Sequence, residues 1–488
     1  MTDNHSAPGA PQGNNGVVLE AARERIDWGR WVALAAGLVA FFALYLAEAP
    51  APALDPAGKS FALTPQGKAA LALFLLAAVW WVFNALPIGV TAIAIGVFQA
   101  LLDIRDAKAA LGDFMDPAVW FIFASIVIGV AFTKSGLTQR IAYKMLTLVG
   151  ERTRNIYLGC FLVTAGLTLV MAHTAVAATI FPVLLAIYAL YGVTDRPTRF
   201  GKGLFVGMAF AAGAGSIITL LGSARGIVGI TFFRDITGER VGFFDIPYYL
   251  LPVGLLMVFI IWGLMLLFFP PEKERIPGLK EVAARHYREL GAFKRDEWLS
   301  LIIVAAAVLV LAGQAFVPDL AALSRPAILL VTTLLFFILG VLTLKELEEI
   351  PWNIILLFGG AMSIGYCLWQ TGAAEWLAVS WLALFQGAHW LLFLLGLAVF
   401  ILAMTNVIMN VAAIAISLPV ALVIAGYLGV APEAVLYIAL VTAGMPFLLL
   451  VGGRRTPSPT SRASSAPSNF SRPAFRQASR CSRFWCSR

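Results

Sequence analysis

From about residue 31 to residue 452 the chain is a succession of apolar stretches, each close to the length an α-helix needs to cross a bilayer. A helix rising 1.5 Å per residue covers the ~30 Å hydrocarbon core in about 20 residues. The stretches fall near 31–49, 69–87, 88–104, 117–134, 154–171, 175–192, 203–221 and 246–270, then near 298–317, 326–345, 350–369, 388–408, 411–428 and 434–452. They predict an all-α polytopic membrane protein. Composition agrees: 60% of the residues are hydrophobic and 13% charged, against about 45–50% and about 25% in soluble domains. Disorder, a nucleic-acid-binding module and an ordinary soluble enzyme are excluded.

Charge divides the chain further. The formal net charge is +8, but the segment from Gly453 to Arg488 carries eight arginines and no acidic residue or lysine, so the rest is neutral. Nothing in the body implies nucleic acid as a partner. Residues 1–28 are polar and rich in Gly and Pro, without a signal peptide's apolar core, and read as a disordered start. Arg23, Arg25 and Arg30 ahead of the first stretch favour a cytoplasmic N-terminus at the inner cell membrane. Residues 271–297 hold seven Lys/Arg and six Asp/Glu, the one long charged connector. It is read as cytoplasmic and separates a first transmembrane repeat, 29–270, from a second, incomplete one, 298–453. Cys160 and Cys367 lie in apolar runs and are expected to be buried small hydrophobes.

The division into repeats rests on recurring residues. Ile128-Gly129, Ser135-Gly136 and Ile141-Ala142 recur 236 positions on as Ile364-Gly365, Thr371-Gly372 and Leu377-Ala378. Ala172-His173-Thr174, with Pro182 nine residues past the histidine, recurs 237 positions on as Met409-Asn410-Val411 with Pro419. A threonine stands five residues before each central polar residue, Thr168 and Thr405. Interrupted apolar segments at matching places in two halves are the sequence mark of a secondary transporter with its site near the midplane. Breaks of this kind survive at membrane depth only where protein or a water-filled cavity covers the freed backbone.

Three polar clusters fall in these breaks. The first holds Thr168, His173 and Thr174, and the second Thr405, Asn406 and Asn410. The third runs Gly213-Ala214-Gly215-Ser216, Thr219 and Gly222-Ser223-Ala224-Arg225-Gly226. A buried histidine bonded to a neighbouring carbonyl, and asparagines serving as interhelical glue, are the structural alternatives; the repeat favours a functional role. An arginine at bilayer depth costs at least about 2.5–3.5 kcal/mol unless paired or hydrated. Its planar fork suits a carboxylate or sulfate, and a snorkelling position at the interface is the alternative. Half-helix N-termini would face an anion, while unwound carbonyls and hydroxyls would suit a cation.

From about residue 30 to 453 the chain resembles the divalent-anion/sodium symporter family, the sodium-coupled carriers of dicarboxylates, citrate or sulfate. The match lies in the Ala172-His173-Thr174 and Met409-Asn410-Val411 triplets, each with its proline, and in Asp116-Pro117-Ala118-Val119-Trp120 and Lys134-Ser135-Gly136-Leu137. The family's Pro-Asn segments would fall at Gly222–Gly226 and from Gly452 onward. The resemblance implies two inverted repeats with re-entrant hairpins and broken helices, a scaffold part and a transport part moving elevator-fashion, and a homodimer. It implies a substrate site at His173, Thr174, Ser223, Arg225, Thr405 and Asn410. Ion ligands would lie at Thr168, Gly222, Met409, Val411, Gly452 and Gly453, with Na⁺ as coupling ion and no other cofactor. Small C4-dicarboxylates lead as cargo, ahead of sulfate and citrate.

This chain departs from the family's Ser-Asn-Thr triplets. Ala172, His173, Met409 and Val411 remove oxygen ligands, and Arg225 or protonated His173 would put a fixed positive charge where a sodium would sit. Proton coupling, Na⁺-independent exchange or an inactive truncated carrier are the alternatives. His173 has no acidic or thiol partner in its motif, so no enzyme is expected; an anion channel is the remaining class. Beyond Gly453 the residues read as a shifted frame. Gly453–Ser461 can be encoded so that the frame one base earlier gives Ala-Pro-Asn-Ala-Ile-Ala-Tyr-Glu, a second Pro-Asn segment leading into a further helix. On that reading the written residues 454–488 carry no function.

Overall fold

The computed structural model describes residues 28–445, apart from 49, 55–59, 193–197, 315, 383–388 and 408–409. The expected disordered start, Met409, Gly452, Gly453 and the Arg/Ser-rich tail therefore lie outside the described residues. The described chain is helical, with one small antiparallel pairing of Ala53–Leu54 against Ser60–Phe61. The first half forms α1 (Trp28–Leu46), α2 (Pro65–Val82), α3 (Ile88–Leu101), α4 (Ala107–Gly112), α5 (Pro117–Ser135), α6 (Leu137–Val149) and α7 (Thr153–Leu167). It continues with α8 (His173–Tyr191), α9 (Arg199–Gly215), α10 (Ala224–Thr237) and α11 (Asp245–Phe268). After α12 (Leu279–Glu289) the second half holds α13 (Arg295–Gly313), α14 (Pro318–Ala321), α15 (Arg325–Ile338), α16 (Leu344–Glu348) and α17 (Trp352–Gln370). It ends with α18 (Ala373–Leu382), α19 (Trp390–Val407), α20 (Asn410–Leu428) and α21 (Pro432–Ala443). Among the described residues, eight helices are long and apolar enough to span a bilayer. Cys160 and Cys367 are buried, as expected.

Local chemistry sets the boundaries. Pro117 opens α5 behind Asp116, whose Oδ1 accepts the Ala118 N–H at 2.7 Å. A proline at the first helical position loses only an N–H that would have no partner there, and a side-chain acceptor serves another. At the far ends of α5 and α17 the chain turns through left-handed residues, Gly136 at φ +87° and Gly372 at φ +76°. Glycine adopts that conformation without the Cβ penalty.

The repeat is visible in these elements. Helices α8 and α20 are each 19 residues long, start 237 positions apart, and contain Pro182 and Pro419 at the same place. Helices α3 and α15 are each 14 residues long and also start 237 apart. Packing is reciprocal: α3 lies against α17, and its counterpart α15 lies against α5, the counterpart of α17. Elements of each half therefore pack against elements of the other.

Helices α4, α6, α10, α12, α14 and α18 lie outside the apolar stretches, as does the small strand pairing. Helix α6 is apolar along one side only, with Leu137, Ala142 and Leu146 buried and Gln139 and Lys144 exposed. The charged connector is not a plain linker. Its helix α12 buries Leu279 and Ala283 and packs on α6.

Candidate functional site

A helix leaves its last four carbonyls without intrahelical partners, and their fates define the centre of this molecule. Helix α7 stops at Leu167. The Thr168 hydroxyl turns back to Ala165 O (2.6 Å), and the N–H groups of Thr168, Leu169 and Val170 serve Thr164, Gly166 and Leu167. Helix α9 stops at Gly215, and Ser216 Oγ donates to Gly213 O (2.7 Å) while the N–H groups of Ser216, Ile217 and Ile218 serve Ala212, Ala214 and Gly215. Helix α21 stops at Ala443. Gly444 and Met445 N–H groups serve Val441 and Thr442, the Thr405 hydroxyl lies 3.1 Å from Ala443 O, and Arg225 Nε donates to Leu440 O at 3.2 Å. Eleven of these carbonyls accept from a donor, the twelfth, Ala443 O, shares the Thr405 hydroxyl with Asn410 Oδ1, and side chains from both halves close α21.

The first-half breaks lock together. Thr219 Oγ1 donates to Leu169 O (2.9 Å), and the His173 N–H lies 3.4 Å from Gly222 O. His173 Nδ1 lies 3.3 Å from the same Gly222 oxygen. Gly222 is packed so tightly that a Cβ would strike the Thr168 carbonyl, and one on Gly215 would strike the Thr168 hydroxyl. Ser125 Oγ, from α5, donates to Leu221 O at 2.6 Å and braces the loop. His173 and Thr174 are half-buried at the start of α8.

Ser223 precedes α10 and is 3% exposed, and its Oγ has no hydrogen-bond partner among the described residues. A buried hydroxyl left so costs about 1–3 kcal/mol. Arg225, two residues on, is 2% exposed and forms no ion pair among the described residues. Its Nη2 reaches Ser216 Oγ at 3.0 Å. Its enclosure by protein argues against the snorkelling alternative. The guanidinium sits against Gly444, where a side chain would displace it.

In the second half Asn410 opens α20 as His173 opens α8. Thr405 Oγ1 lies 2.8 Å from Asn410 Oδ1, and Val411 is buried. Asn406 is 2% exposed and its Nδ2 donates to Leu402 O. The structure thus joins Thr168, His173 and Gly222 in one group and Thr405, Asn410 and the end of α21 in another, with Arg225 connecting the two halves. The sequence reading missed Leu440, Ala443, Gly444 and Ser125. Three of these act through backbone or through lack of a side chain, which leaves no side-chain signal to read. No group of three or more His, Cys, Asp or Glu that would hold a metal occurs among the described residues.

Helices broken in corresponding places, with their ends gathered around a buried cation, make the architecture of a membrane transporter. Residues 29–458 match the family described as the sodium:sulfate symporter transmembrane region, and the chain belongs to that family. It is similar to a sodium-dependent dicarboxylate transporter, SdcS, of Staphylococcus saprophyticus, with 22% identity over 80% of this chain and 79% of that one. The SdcS protein of Staphylococcus aureus is 24% identical over 79% and 78%. A protein of Cupriavidus necator described only as a membrane protein is 27% identical over 50% and 48%. The family is one of symporters and the two SdcS relatives are named as transporters, and the chain is a multi-pass membrane transporter rather than an enzyme.

Proposed function

We propose that the protein is a secondary active carrier of small divalent anions, C4-dicarboxylates first among them, driven by Na⁺. The observation that carries this is the meeting of two interrupted helix pairs, one from each half, at Gly222, Arg225 and the end of α21. Helices α8, α10 and α20 begin at these breaks, and helix N-termini favour carboxylates. His173, Thr174, Ser223 and Asn410 supply the side chains there, with the unpartnered Ser223 hydroxyl as a donor for substrate oxygen. Thr405 holds Asn410 in place. Thr168, Gly222 and Val411 frame the ion side through their backbone, together with Met409, Gly452 and Gly453 beyond the described residues. The same reading takes the repeats as inverted, with a cytoplasmic N-terminus, a homodimer, and a transport part carrying the site past a scaffold. The relatives named as sodium-dependent dicarboxylate transporters support the ion and the cargo.

The test is reconstitution into proteoliposomes with radiolabelled succinate. An inward Na⁺ gradient is expected to give saturable uptake, stimulated by unlabelled succinate inside. Sulfate or citrate competing better than succinate would change the cargo. Non-saturating flux without counterflow would make the protein a channel.

A further inference from the structure

Arg225 is a buried cation that reaches from the first half to the end of α21 in the second, and its partners suggest a use other than gripping substrate. Both groups it touches belong to helix C-terminal ends. Leu440 O, in the last turn of α21, accepts from no other donor among the described residues. Ser216 Oγ accepts from Arg225 while donating to Gly213 O at the end of α9. Two helix ends, each carrying partial negative charge, thus converge on one positive group. Their oxygens are of the kind that half-helix ends and unwound carbonyls offer to a coupling cation in broken-helix carriers. No carboxylate is present among the described residues to account for the charge as an ion pair. Gly444, at φ −78°, has no conformational need to be glycine; a side chain there would strike both the Arg225 guanidinium and Ile217 Cγ2.

We propose that Arg225 is a tethered cation occupying a position built for a monovalent coupling ion, so that the carrier runs with one Na⁺ fewer than its helix ends could hold. This rests on the carrier reading above, but its first test does not depend on cargo. Removing the guanidinium in Arg225→Ser exposes Leu440 O and the Ser216 hydroxyl and should create a Na⁺ site. Thermal unfolding of the purified full chain in detergent, in NaCl and in choline chloride, reads this directly. The Na⁺-specific rise in Tm is expected to be larger in Arg225→Ser than in the unchanged protein by at least about 3 °C, since a ligand that binds only the folded state stabilises it. Arg225→Lys keeps a tethered charge and should respond as the unchanged protein does. Gly444→Ala leaves the arginine in the chain but takes its space, and should acquire the Na⁺ response.

An Arg225→Ser protein that can be purified only in Na⁺ supports the proposal. Equal loss of stability in NaCl and choline, or loss of the protein in both, would make Arg225 a helix cap and overturn it. In proteoliposomes the Na⁺ dependence of succinate uptake should steepen in Arg225→Ser, with a Hill coefficient higher by about one. Absent uptake by the unchanged protein would count against the carrier reading alone, because the unfolding assay stands without it.

Discussion

Ser223 and Gly222 are neighbours in one break, yet removal of an atom at one and addition of an atom at the other should have opposite consequences. The Ser223 hydroxyl is buried without a partner among the described residues, so Ser223→Ala sacrifices no hydrogen bond among them. Its Tm is expected to hold or rise, while KM for the dicarboxylate rises about tenfold or more, the usual scale for a hydrogen bond to a charged group. An unchanged KM would remove Ser223 from the site. Gly222→Ala instead drives a methyl into the Thr168 carbonyl, a backbone atom that cannot step aside. A cost of about 1–3 kcal/mol is expected, measured as lost folded protein. Gly166, exposed on α7 with open space around it, is the control: alanine there should be neutral or stabilising. The position of Thr168, His173 and Asn410 at the breaks was legible because they stand in register in the two halves of the sequence. Leu440 O was not legible, because a carbonyl in a leucine looks the same everywhere in a sequence.

At the scale of elements, charged contacts outside the central breaks join helices to the connector. Arg140 on α6 binds Glu297 at the start of α13 at 2.8 Å and also donates to Gly291 O and Ala292 O ahead of that helix. Both side chains are buried, at 5% and 2% exposure. Glu297→Ala should therefore destabilise the fold by about 3–5 kcal/mol, since it strands a buried cation; denaturation of the purified variant measures it. The α5–α16 contact offers a pH test. Burial alone would raise the Glu346 carboxyl, but Lys134 at 2.7 Å and the Thr343 hydroxyl and N–H outweigh it and hold the group at about 2. Because the folded value lies below the ordinary 4.5, the contact's contribution is complete above that pH and fades as the pH falls toward 2. The Tm difference between the unchanged protein and Glu346→Gln should be constant from neutrality down to about pH 5 and shrink below it. Long apolar helices were legible from hydropathy. Helices α6 and α12 were not, because each buries one narrow face, and the residues they bury lie on each other rather than in sequence.

For the whole molecule, the governing fact is that neither half closes on itself. Helix α3 packs on α17 and α15 on α5, while α10 from the first half lies along α20 from the second. The sequence showed that there were two related halves, through Gly136 and Gly372 and through the paired triplets and prolines. It did not show that their elements would be exchanged, since reciprocity arises from a symmetry between segments and not from either segment's composition. The same exchange explains why Arg225, in the first half, ends a helix of the second. It also brings the two breaks together at Arg225 and the end of α21. The most direct measurement is the initial rate of radiolabelled succinate uptake into proteoliposomes, with an inward Na⁺ gradient against an equal choline gradient. Saturable uptake that requires Na⁺ and accelerates with unlabelled succinate inside is the expected result. Uptake that proceeds equally in choline, or that rises linearly with succinate without counterflow, would contradict a sodium-driven carrier.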